Sequence, residues 1–176
     1  KSTDLTSYDN FPNFALINKW RLIKKNPDAE MSEPEEPIVF WVENTTPKDI
    51  IPAVVAGIEN WNIAFEEAGF INAVVAKIQP EDAEWDAADY DYNVVRWSSE
   101  PDGNLLGIGP SVSNPLTGEI ISADVVNKLL AIKLGYNYRK LYGYTEDNDP
   151  LMQYITNLTL HEVGHVLGLR HNFRGS

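Results

Sequence analysis

The 176-residue chain has no cysteine, which excludes disulfide frameworks, thiolate zinc sites, iron–sulfur clusters and cysteine nucleophiles from it. Basic residues are scarce as well: 14 Lys and Arg stand against 26 Asp and Glu, a formal charge of −12. Phosphate binding needs a basic stripe, so no nucleic-acid or anionic-membrane partner is expected. No apolar run approaches the roughly 20 residues of a membrane span. The chain opens at Lys1 with neither an initiator Met nor a signal peptide, so it is expected to come from something longer. Methionine occurs twice and histidine three times. Against these absences, 43% hydrophobic and 11% aromatic residues are enough for one well-filled core.

Residues 1–36 show little periodicity and end in the acidic, proline-bearing run Glu30–Pro37, which reads as a surface connection. The main domain is then expected over 37–176. Ile38–Val42 is a short β-branched and aromatic run suited to a buried strand. Asp49 is a candidate helix cap, with Pro52 in the first turn, where its missing N–H costs little. Ile51, Val54, Val55, Ile58, Trp61, Phe65 and Ala68 then recur at three- and four-residue steps, the stripe of one long helix. Val74–Ile78 and Asn93–Trp97 read as further strands. The Gly- and Pro-interrupted run Leu105–Ser113 belongs at a sheet edge, and Ile120–Val126 returns as a strand. A helix is expected from Asn127 to about Tyr142, and another, capped by Asp149 and Pro150, through Leu167. The order predicts a mixed α/β domain with helices packed on one sheet.

All three histidines fall within His161-Glu-Val-Gly-His-Val-Leu-Gly-Leu-Arg-His171. Random placement yields that spacing in roughly two of ten thousand cases, before Glu162 or Gly168 is required. Residues i and i+4 of a helix differ by about 40° in direction and about 6 Å in height, so His161 and His165 can share a metal ion. Imidazole nitrogens suit Zn²⁺. Gly168 can take a positive φ that ends the helix and turns the chain back, bringing His171 in as third ligand. Three protein ligands leave a position open for water, the mark of a catalytic zinc. Glu162, beside the first ligand, is the candidate general base.

These eleven residues resemble the metzincin clan of zinc endopeptidases, whose motif is HExxHxxGxxH. The continuation Leu169-Arg-His-Asn-Phe173 is similar to a group of large secreted bacterial zinc-dependent metalloproteases. Pro37–Val42, Ile58–Phe70, Val94–Trp97 and Gly109–Glu119 are similar to that group's first strand, long helix, later strands and turn. The resemblance implies a mainly parallel twisted sheet with an antiparallel edge strand, packed on a long helix and a zinc-binding helix. It also implies one catalytic Zn²⁺, a polypeptide substrate, and a secreted or periplasmic location in a bacterium. Gly107, Ile108, Gly109, Ser111, Val112 and Ser113 would then form the strand that pairs with extended substrate. Metzincins carry a Met-containing turn after the third histidine, within a lower subdomain. Here five residues follow His171, and both Met31 and Met152 precede the motif. The chain is therefore expected to be the upper half of a cleft, with a C-terminal subdomain as its partner. The alternative is a zinc-stabilised fragment that binds a peptide or partner chain without cutting it.

Three other patterns carry less. Asp89, Asp91, Asn93 and Glu100 match a calcium-loop spacing, but Val94 occupies the position that needs Gly. Trp41, Trp61 and Trp97 read as core residues, and Tyr136, Tyr138, Tyr142 and Tyr144 as packing at a helix end.

Overall fold

A computed structural model of the chain describes residues 2–3, 13–14, 16–98, 106–145 and 148–171. Of the residues with expected roles, Glu100, Leu105, Asn172 and Phe173 lie outside the described residues. In chain order come β1 (Ser2–Thr3), β2 (Asn13–Phe14), β3 (Ile38–Val42), α1 (Ile51–Glu59), α2 (Asn62–Glu67), β4 (Val74–Ile78) and β5 (Asn93–Ser98). Then follow β6 (Gly107–Ile108), β7 (Ser111–Ser113), β8 (Ile120–Ala123), β9 (Val125–Lys128), α3 (Leu129–Tyr142) and α4 (Pro150–Val166).

The main sheet has the order β4-β3-β5-β9-β6. Its first three pairings are parallel, and β6 closes the edge antiparallel to β9. The fold is thus mixed α/β, with a mainly parallel sheet and an antiparallel edge strand, consistent with a metzincin-like fold. Along β3, Ile38, Phe40 and Val42 are buried while Val39 and Trp41 between them are partly open, so one face carries the core. Phe40, Val42, Val54, Ile58, Val95, Val125, Leu151, Ile155 and Val163 fill that core, each at 2% exposure or less. Burying a side chain of this size contributes about 1.5–3 kcal/mol relative to leaving it in water.

Four local expectations need correction. Asp49 does not cap α1: Ile50 holds that position with no side-chain hydrogen bond, and Pro52 sits in the first turn. The long first helix is divided at Asn60–Trp61. The backbone there stays in the helical region, but Trp61 N bonds Ile58 O and Ile63 N bonds Asn60 O, three residues back instead of four. Trp61 is held by its indole N–H, which donates to Leu160 O of α4 at 2.9 Å. The run 120–126 is two strands, because Asp124 leaves the ladder: its N–H bonds Pro110 O, and its carboxylate accepts from Val94 N at 3.1 Å. Burial raises the Asp124 carboxyl above its ordinary range, against the lowering effect of the Val94 bond and nearby Arg96. The third helix begins at Leu129, since Asn127 and Lys128 remain paired to β5.

Residues 16–36 are fastened to the domain. Lys19 N bonds Gly118 O and Ile120 N bonds Lys19 O, at 3.0 and 2.9 Å. Trp20 packs on the core and donates from its indole to Val166 O at 2.9 Å. Trp61 and Trp97 also pack on the core, whereas Trp41 joins Trp85 and Tyr92 in a separate aromatic cluster. At the end of α3, Tyr138 stacks on Tyr142, and the Arg139 guanidinium lies over Tyr136 and Tyr144.

Candidate metal centre

The site is built on α4, whose start is written into its sequence. Asp149 is extended and accepts from Leu151 N at 3.0 Å, and Pro150 occupies the first helical position. Leu151, Ile155, Thr159, Val163 and Val166 face the core. Close approach of α1 depends on Gly57, where a Cβ would lie 2.6 Å from Thr159 Cβ. Likewise Gly164 lies under the Trp61 ring.

The helix ends in a Schellman motif. Gly168 has φ +102°, its N–H bonds His165 O, and Leu169 N bonds Gly164 O, both at 3.0 Å. That reversal carries His171 back over the helix. The Nε2 atoms of His161, His165 and His171 form a triangle with all three sides 3.1 Å.

This triangle fits a metal ion. Its centre lies about 1.8 Å from each nitrogen, close to the Zn–N bond of about 2.0–2.1 Å, so the spacing of the three nitrogens would suit that ion. The His165 ring supports the same fit. Its Nδ1 lies 3.0 Å from Leu169 O, and since a carbonyl only accepts, Nδ1 carries the hydrogen. A neutral ring then presents a bare Nε2 to the centre, the orientation that ligating histidines receive from a backbone carbonyl. Among the described residues these histidines are the group of three close enough to bind a metal ion. Asn93 of the calcium-loop pattern is committed elsewhere, its amide bonding Val39 O and Ala123 N within the sheet.

A groove of about 770 Å³ opens over the triangle. Leu106, Gly107, Ile108 and Gly109 form one wall, and Tyr154, Asn157, Leu158, His161, Glu162 and His165 form the other. Glu162 is 7% exposed. The structure brings the three histidines, Glu162 and Gly107–Gly109 together along this one groove. Ser111, Val112 and Ser113 continue as β7, paired with β8. Tyr154, Asn157 and Leu158 were missed. They precede His161 by seven, four and three residues, the spacing that puts them on its face of the helix, so the signal was available. Burial, with Tyr138 adjoining, raises the Tyr154 phenol, which stays protonated at neutral pH. Arg170, between Gly168 and His171, is exposed.

A family model described as Met-zincin matches residues 144–176, the segment containing α4 and all three histidines. That match supports a metzincin-clan metalloprotease. For a metzincin the metal implied is zinc, and His161, His165 and His171 lie close enough together to bind a metal ion. Neither a curated protein nor a solved structure matches the chain significantly. Among the described residues, no helix is long and apolar enough to cross a membrane.

Proposed function

We propose that the chain is a zinc-dependent endopeptidase that hydrolyses peptide bonds of extended polypeptides, with Glu162 as general base. The observation that carries the reading is the meeting, in one groove, of three converging imidazoles, a carboxylate one residue along the helix, and an open strand edge. His161, His165 and His171 would hold the ion. When bound, zinc supplies a Lewis acid that polarises the scissile carbonyl and acidifies a water molecule.

The chain's own residues supply the rest. Glu162 takes the proton of the attacking water on its carboxylate and passes it to the leaving amine nitrogen. Substrate is held on β6. Lys128 N bonds Leu106 O at one end of that segment, and Asp124 N bonds Pro110 O at the other. Bonded and non-bonded pairs alternate along an antiparallel ladder, so Leu106, Ile108 and Pro110 face β9 and Asp124, while Gly107 and Gly109 turn their N–H and C=O outward. An extended peptide adding there is bound mainly through its backbone. In the same register Ser111 turns outward too, whereas Ile108 and Val112 offer side chains 45% and 47% exposed.

The test is Glu162→Ala. Zinc content should stay near one per chain, while casein cleavage falls by about 10²–10⁴-fold, the usual contribution of a positioned general base. Equal cleavage by the two proteins would remove Glu162 from this role, and cleavage indifferent to a chelator would remove the metal.

A further inference from the structure

Glu162 is nearly buried, yet among the described residues no hydrogen bond holds its carboxylate. Its position is set by what it packs against. A Cβ built on Gly107 would lie 2.8 Å from Glu162 Cγ and 2.9 Å from Oε1, closer than real Cβ atoms approach, and 3.0 Å from Cδ. The carboxylate therefore lies against bare strand backbone, and it can do so because residue 107 has no side chain.

The strand cannot retreat to make room. Gly107 sits opposite Asn127 in a non-bonded pair of the antiparallel ladder, with both side-chain positions directed at α4. Asn127 is buried and donates to Thr159 Oγ1 at 3.1 Å, one helical turn before Glu162. Leu106 is tied to Lys128. Sheet and helix are thus docked at this point by a buried hydrogen bond. What yields to an added methyl is the flexible Glu162 side chain, so the intrusion costs little stability and moves the carboxylate. Gly109 differs: its Cβ would meet the backbone Glu162 O at 2.8 Å and Val166 Cγ1 at 3.0 Å, groups that cannot swing aside.

We propose that Gly107 is a positioning residue for Glu162, acting by the absence of a side chain to set where the carboxylate points. The proposal rests on Glu162 being the general base.

The experiment compares wild type, Gly107→Ala, Glu162→Ala and the double variant, all loaded with zinc. In Gly107→Ala, kcat on a peptide substrate should fall at least tenfold, with KM within about twofold and zinc content unchanged. A rise in KM with kcat preserved would mean that the strand moved instead, and an unchanged kcat would mean that the carboxylate did not move. Either overturns the proposal. Stability gives a readout independent of turnover. The small loss of Tm in Gly107→Ala should disappear in the Glu162→Ala background, where there is no Cγ to displace. The same loss in both backgrounds overturns the contact even if catalysis is as proposed. If wild type shows no cleavage, the endopeptidase reading fails, while the thermal cycle still decides whether Gly107 sets the Glu162 side chain.

Discussion

Asp149→Ala should loosen the helix that carries His161 and His165, although Asp149 lies three turns from the first of them. Two roles are lost together. As N-cap, Asp149 accepts from Leu151 N at 3.0 Å, and replacing such a cap by Ala costs about 1 kcal/mol. As ion-pair partner, it accepts from Arg139 Nε at 2.7 Å and also from Arg139 Nη2. The two side chains are 18% and 12% exposed, and Arg139 is further held over the Tyr136 and Tyr144 rings. Hydrogen bonds to charged groups in such settings contribute about 1.5–3 kcal/mol. The combined loss is about 2.5–4 kcal/mol, or a fall in Tm of about 5–16 °C for a domain of this size. Asn caps a helix as well as Asp does, so Asp149→Asn should recover only the smaller part.

Acid provides the control. The Arg139 hydrogen bond holds the Asp149 carboxyl below its ordinary value, so the folded state binds that proton less well than the unfolded chain. The advantage of wild type is then complete above the unfolded pKa of about 3.9 and drains as pH falls through the lower folded value. Urea titrations of the metal-free protein, followed by tryptophan fluorescence, should show the gap at about pH 7 and its narrowing below about pH 4. A gap of the same size at about pH 3, or Asp149→Asn as stable as wild type at neutral pH, would refute the ion-pair account.

Other perturbations test the frame around the metal. Trp20→Phe removes the donor to Val166 O and should cost about 1–3 kcal/mol, seen as a lower Tm together with weaker zinc binding in a chelator competition. Loss of neither would mean that residues 16–20 do not brace the turn into His171. Gly168→Ala places a Cβ 2.2 Å from Asn18 O at φ +102°, and backbone strain alone costs about 1–3 kcal/mol. Zinc affinity should drop more than in Trp20→Phe, and equal affinity to wild type would argue against the reversal as the device that delivers His171.

The parts legible in the sequence share one property: their causes lie within a few residues. Ile38–Val42 and Val74–Ile78 are strands with the bounds their apolar runs suggest, and Asp149 and Pro150 begin α4 as their chemistry requires. Where the cause is distant, local reading fails. Nothing near Asp124 shows that its carboxylate will bond Val94, thirty residues away, and divide a strand. Nothing near Trp61 shows that Leu160 will hold it and tighten the helix there. The low periodicity of residues 16–36 likewise hid their attachment, because Trp20 reaches a carbonyl 146 residues along.

The same division runs through the metal centre. The spacing of His161, Glu162, His165, Gly168 and His171 determined that three imidazoles meet, because a helix repeat and one left-handed glycine dictate which side chains converge. Only the tertiary structure decided what the Glu162 side chain packs against and which strand edge lines the groove. Gly107 and Glu162 stand 55 positions apart, and they meet because β6 pairs with β9 and β9 docks on α4 through Asn127 and Thr159. A contact of that kind depends on which surfaces the packed core brings together, and no local pattern of residues encodes it.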